Sequence, residues 1–164
     1  MARAICLRLL EARPRTRAEL TAALRKRGVP GPAGEEVLDR FAEVGLIDDA
    51  AFASSWVTSR QAGRGLARRA LAGELRRKGV AADTVQEAVA ELDPEVEVET
   101  ARTLVRRRLR TMSGVSAEAR FRRLVGMLAR KGYPPGLATR VVREGLAVEA
   151  EELLDLDAAD DGEP

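Results

Sequence analysis

Few side chains in this sequence could perform covalent or metal chemistry. The chain of 164 residues contains no histidine, which excludes a Ser-His-Asp or Cys-His arrangement and any histidine-ligated metal. Its single cysteine, Cys6, can neither close an internal disulfide nor build a thiolate cluster. Set between Ile5 and Leu7, it reads as a small core residue rather than a reactive thiol. Asp48 and Asp49 are adjacent carboxylates, but they stand at a helix start, where capping accounts for them. The run Gly126-Met-Leu-Ala-Arg-Lys131-Gly132 resembles a phosphate-binding loop only in its letters, because it lies inside a helical pattern. The expectation is a protein that is not an enzyme and holds no metal and no cofactor.

Binding chemistry is better represented. Lysine and arginine number 28 against 26 acids, and 25 of the 28 are arginine. All of them precede Glu149, where they face 18 acids, a balance of +10. The stretch 149–164 holds eight acids and no basic residue. A basic body of this kind suits a polyanionic or acidic partner. On a helical wheel Arg68, Arg69 and Arg76 fall on a face centred on Ala72, away from the face of Ala67, Leu71 and Leu75. Such a strip of small residues rimmed by arginines could approach an acidic or phosphate-bearing surface. Basic pairs recur at one helix end as Lys26-Arg27, Arg77-Lys78 and Arg130-Lys131, and a long helix adds Arg106 and Arg107 together with Arg102, Arg108 and Arg110. The candidate contact residues are therefore Arg68, Arg69, Arg76, Arg77, Lys78, Arg106, Arg107, Arg130 and Lys131. Solvation or the helix dipole explains any one of them; the recurrence of the set favours a binding surface.

The reading of nucleic acid expected from such a surface is unspecific. No helix presents Asn, Gln and Arg on a base-reading face. The few aromatics, Phe41, Phe52, Trp56 and Phe121, fall at core-type spacing, which leaves no platform for stacked bases. Any affinity for DNA should then be non-specific and steeply salt-dependent.

The elements that must position these residues repeat. Leu20-Thr-Ala-Ala-Leu24-Arg-Lys-Arg-Gly28-Val29, Leu71-Ala-Gly-Glu-Leu75-Arg-Arg-Lys-Gly79-Val80 and Leu124-Val-Gly-Met-Leu128-Ala-Arg-Lys-Gly132-Tyr133 align without gaps, their glycines 51 and 53 residues apart. Leucines four apart share a buried face, basic residues complement the last turn, and glycine at C′ adopts the left-handed conformation that closes the helix. A helix precedes and follows each copy. In the first triplet these are Ala4–Ala12 and Glu35–Val44, with Thr16 and Glu19 forming a capping box for the middle helix and a break at Pro30-Gly31-Pro32. In the second, Asp49 caps a helix carrying Phe52, Trp56 and Val57, the middle helix spans Leu66–Lys78, and Asp83 with Gln86 forms another capping box. In the third, Asp93-Pro94 starts a long helix to Met112. Ala117–Lys131 follows, and then a helix opened by Pro134 and Pro135.

The spacing predicts an all-α protein: an elongated tandem array of three three-helix, helix-turn-helix-like repeats over 1–148, at about 2–47, 48–92 and 93–148. Residues 149–164 read as an acidic tail, disordered or a helix extension that frays. Hydrophobic residues make up 45% and charged residues 33%, as in a globular chain. No apolar run reaches a membrane span and no signal-peptide pattern opens the sequence, and with a single cysteine the expected compartment is a reducing cytoplasm. An asymmetric repeat protein with no self-complementary stripe is expected to be a monomer.

The segment Gly45-Leu46-Ile47-Asp48-Asp49-Ala50-Ala51-Phe52-Ala53 resembles the most characteristic stretch of the RecX family of bacterial recombinase regulators. Trp56, Arg60, Gly65, Leu71, Leu75 and Lys78-Gly79-Val80 follow as in that family. Arg123-Leu124, Leu128 and Arg130-Lys131-Gly132-Tyr133 match as well. The opening Cys6-Leu7-Arg8-Leu9-Leu10, Pro14-Arg15-Thr16-Arg17 and Glu19-Leu20 is similar to members from high-GC Gram-positive bacteria. The resemblance covers about residues 2–148. It implies a helical regulator that binds RecA and its filament on single-stranded DNA, lying along the filament groove. Such a regulator inhibits ATP hydrolysis, strand exchange and SOS co-protease activity, and binds DNA only weakly. The alternative is a non-specific DNA- or RNA-binding architectural protein with no activity directed at RecA.

Overall fold

The computed structural model describes residues 1–160, and every regular element among them is an α-helix. The first triplet is α1 (Ala2–Ala12), α2 (Arg17–Lys26) and α3 (Gly31–Glu43). The second is α4 (Asp49–Arg64), α5 (Arg68–Arg77) and α6 (Ala82–Ala90), and the third is α7 (Pro94–Leu109), α8 (Ala117–Arg130) and α9 (Pro135–Asp160).

Local signals set most helix ends. Thr16 Oγ1 accepts from the Glu19 N–H at 3.1 Å and Glu19 Oε2 accepts from the Thr16 N–H at 3.0 Å, the expected capping box. Asp93 caps α7 through the Glu95 N–H at 2.9 Å, with Pro94 at the first helical position. Gly28, Gly79 and Gly132 follow the three middle helices at φ +74°, +80° and +92°, as the leucine–glycine pattern requires.

Other expectations are corrected. The break at Pro30-Gly31-Pro32 is the first turn of α3, a place where proline's fixed φ and missing N–H cost nothing. Asp83 and Gln86 form no capping box: α6 starts at Ala82 behind Ala81, and Asp83 Oδ1 accepts from its neighbour Thr84. The residue that caps α4 is Asp48, whose carboxylate accepts from the Ala51 N–H at 2.9 Å; Asp49 is bonded elsewhere. Of the two readings of the acidic stretch from Glu149, the helix extension is the one seen as far as Asp160, because its Glu, Leu and Ala are strong helix formers. The last four residues of that stretch lie outside the described residues.

Two compact units result, one of residues Met1–Gly63 and Leu71–Leu92, the other of Arg64–Ala70 and the described residues from Asp93 onward. In the first, Cys6, Leu20, Leu24, Leu38, Phe41 and Ile47 form a core beneath α1, α2 and α3. Burial pushes the Cys6 thiol above its ordinary pKa, consistent with an inert core residue. In the second, Ala101, Val105, Leu124, Leu128, Tyr133, Val141 and Val142 close around Ala67. Gly145 lets α9 approach α7, since a Cβ there would stand 2.7 Å from Val105 Cγ1. Arg64–Ala70, placed by sequence in the second triplet, thus packs with the third.

Candidate functional site

The recurring Lys-Gly ends are clasps before they are anything else. In the first unit the Thr16 hydroxyl donates to the Lys78 carbonyl at 2.7 Å, and Lys78 Nζ donates to Glu19 Oε1 at 3.1 Å. Gly79 lies so close to Ala18 that a Cβ would come within 2.3 Å of it. The second unit repeats the arrangement. The Ala67 N–H donates to the Lys131 carbonyl at 2.8 Å, Lys131 Nζ donates to the Arg64 carbonyl at 2.8 Å, and a Cβ on Gly132 would stand 2.5 Å from the Ala70 nitrogen. Each Lys-Gly end therefore seats on the start of the preceding triplet's middle helix. Gly28, the corresponding glycine of the first triplet, faces open space.

A carboxylate completes each clasp. Asp49 Oδ1 accepts from the Arg17 N–H at 2.9 Å in the first unit, and Glu97 Oε1 accepts from the Arg68 N–H at 3.0 Å in the second. Both acids satisfy a helix-start donor that has no partner within its own helix. Desolvation pushes the Glu19 carboxyl upward, but hydrogen bonds from Arg13, the Thr16 backbone and Lys78 outweigh it and hold the group below the usual carboxylate range. In the second unit Tyr133, 3% exposed, donates its hydroxyl to the Gly65 carbonyl at 2.8 Å. Burial and then the charge of Glu97 raise its pKa to about 12.

The nine candidate basic residues now sort by how far they are committed. Lys78 is held by Glu19 and lies 4.5 Å over the Trp56 ring. Lys131 is held by the Arg64 carbonyl, Arg68 pairs with Glu97, and Arg106 pairs with Glu99 at 3.1 Å. Arg76 and Arg77 in the first unit are exposed and carry no acidic partner among the described residues, and the same is true of Arg69, Arg107 and Arg130 in the second. The expected strip centred on Ala72 does not exist: Ala72 is 4% exposed and joins Leu71 and Leu75 on the buried side of α5.

Phe52 and Trp56 also depart from the core reading. They are half-buried and stacked, with centroids 5.7 Å apart. The Arg60 guanidinium lies 4.3 Å from the Trp56 ring centre, a cation–π arrangement with Lys78 as the second cation. Helical spacing alone could not reveal it, because Lys78 arrives from a different helix.

Among the described residues no group of His, Cys, Asp and Glu could hold a metal ion, and no helix is long and apolar enough to cross a membrane.

Comparison with known proteins agrees with this repeat geometry. Residues 2–41, 48–89 and 95–142 match, in order, the first, second and third three-helix domains of RecX. The chain is 62% identical over 152 residues to the "Regulatory protein RecX" of Thermobifida fusca, covering 93% of this chain and 82% of that one. It is also 62% identical over 151 residues to the protein of the same name from Streptomyces coelicolor, covering 92% and 80%. The crystal structure of RecX from Lactobacillus salivarius has the same fold, with a TM-score of 0.80 at 20% identity over 88% of this chain and 94% of that one. With three domains matched in order and relatives this similar over nearly the whole chain, the protein belongs to the RecX family of regulatory proteins, which are not enzymes.

Proposed function

We infer that this protein regulates the RecA recombinase: it binds RecA and its filament on single-stranded DNA, acting as a monomer in the cytoplasm along the filament groove. Binding modulates, and mostly inhibits, RecA ATP hydrolysis, strand exchange and SOS co-protease activity. The observation that carries this reading is the 62% identity to a protein named regulatory protein RecX over 93% of the chain. The uncommitted arginines Arg69, Arg76, Arg77, Arg107 and Arg130 are the first candidates for contact, because an exposed guanidinium without an internal partner forms new charge-assisted bonds without breaking old ones. Lys78, Lys131, Arg68 and Arg106 contribute less, since each must first release an acceptor. The body spanning 1–148 carries the activity.

A second reading, non-specific binding of DNA or RNA, draws on Arg107, Arg108 and Arg110 at the end of α7, all exposed. It predicts that each neutralised phosphate adds about −0.7 to the log–log salt slope on single strands. Co-sedimentation with preformed RecA filaments in the presence of excess free single-stranded DNA separates the two. Retention in the filament pellet supports the regulator; transfer to the free DNA supports the second reading.

A further inference from the structure

The first unit carries a groove of about 430 Å³ that no clasp uses. Its apolar walls are Leu10, Leu46, Phe52 and Trp56, and its basic rim is Arg13 and Arg15. Leu46 is 49% exposed, held out by the turn at Gly45, whose φ is +76°. We propose that this groove docks a protein segment that presents a large aliphatic or aromatic side chain next to a carboxylate.

The charge balance of the groove selects an acidic occupant. Asp48, the lining acid, is already taken by the Ala51 N–H. Arg13 donates to the Pro14 carbonyl at 2.9 Å, and its only acidic partner among the described residues is Glu19, at 3.2 and 3.5 Å, which also serves Lys78. Arg15 Nε and the Trp56 indole N–H are shielded from solvent and have no acceptor, a costly state for a donor. A guanidinium on a flexible stem regains its bond by turning towards an incoming carboxylate. The apolar walls account for the rest of the occupant, because leucines offer nothing to a phosphate backbone. The Trp56 ring is already engaged by Phe52, Arg60 and Lys78, so no platform is left for a stacked base. The occupant is therefore a protein, and, resting on the function proposed above, it is a RecA protomer of the filament.

The test uses the full chain. Leu46→Cys carries an environment-sensitive dye, which labels selectively because Cys6 is fully buried, while Leu46→Glu and Arg15→Glu reverse the groove chemistry and Leu46→Met preserves it. Addition of RecA filaments shifts the dye emission to the blue. Both charge variants bind filaments at least tenfold more weakly, with helicity and melting temperature unchanged, and Leu46→Met binds like the parent. If the parent binds filaments while the dye stays silent and both charge variants bind normally, the groove assignment is overturned and the regulator reading stands. If bare single-stranded DNA alone shifts the dye, the occupant is nucleic acid and the proposal is wrong. If the parent does not bind filaments at all, both readings fall.

Discussion

Asp49 Oδ1 lies 2.9 Å from the backbone nitrogen of Arg17, 32 residues earlier in the chain. The first helix of the second triplet thereby supplies an acceptor for the opening N–H of α2. Glu97 does the same for Arg68, at 3.0 Å, one triplet later. With the Lys-Gly ends, these bonds make the start of a middle helix the point where the following triplet attaches. The characteristic Asp48-Asp49 pair divides its work: one carboxylate caps its own helix and the other caps a distant one.

Removing either carboxylate should destabilise the first unit by different routes. Asp48→Ala loses a local cap, a cost of about 1 kcal/mol. Asp49→Ala removes a charge-assisted bond to a half-buried donor and should cost about 1.5–3 kcal/mol. Urea unfolding midpoints of the two variants provide the check, with Asp49→Ala expected to be the lower.

The three aligned glycines should respond unequally to alanine. All have positive φ, so each substitution carries about 1–2 kcal/mol of left-handed strain. At Gly28 nothing more is added, because the space is open. At Gly79 and Gly132 the new methyl would meet Ala18 Cβ at 2.3 Å and the Ala70 nitrogen at 2.5 Å, so both variants should lose several times as much stability as Gly28→Ala. Equal melting temperatures for the three would contradict the clasp geometry.

These contrasts mark what the sequence made legible. The Thr16–Glu19 box, the Asp93 cap and the glycine helix ends depend on residues within a turn of one another, and local pattern finds such features. The clasps join Thr16 to Lys78 and Ala67 to Lys131, across 62 and 64 positions, so in sequence the recurring basic ends read as a binding surface, when Lys-Gly is first a joint. The Asp83–Gln86 spacing fitted a cap, yet packing of α6 starts the helix one residue before Asp83. The half-buried Phe52–Trp56 stack is not legible in sequence, because apolar spacing reports a helix face and not the Lys78 that the end of another helix brings over it.

Tyr133 is the sole tyrosine, so its titration can be followed by tyrosinate absorbance without ambiguity. Burial, reinforced by the charge of Glu97, places its pKa at about 12 against an ordinary value of 10. The folded state therefore holds the phenol proton more tightly than the unfolded chain. The stability this confers is fully present below pH 10 and is lost as the pH rises towards 12. Tyr133→Phe should remove that loss and, by leaving the Gly65 carbonyl without its donor, cost about 1–3 kcal/mol at neutral pH. A tyrosinate transition near pH 10 in the folded protein would contradict the placement.

The proposed regulator acts on RecA filaments and not on DNA in general. ATP hydrolysis by preformed RecA filaments on single-stranded DNA, titrated with this protein while free DNA is kept in excess, tests it most directly. Hydrolysis should be lost well below one molecule per RecA, and the loss should weaken in Arg76→Ala/Arg77→Ala with helicity intact. Unchanged hydrolysis under conditions where the protein measurably binds DNA would contradict it.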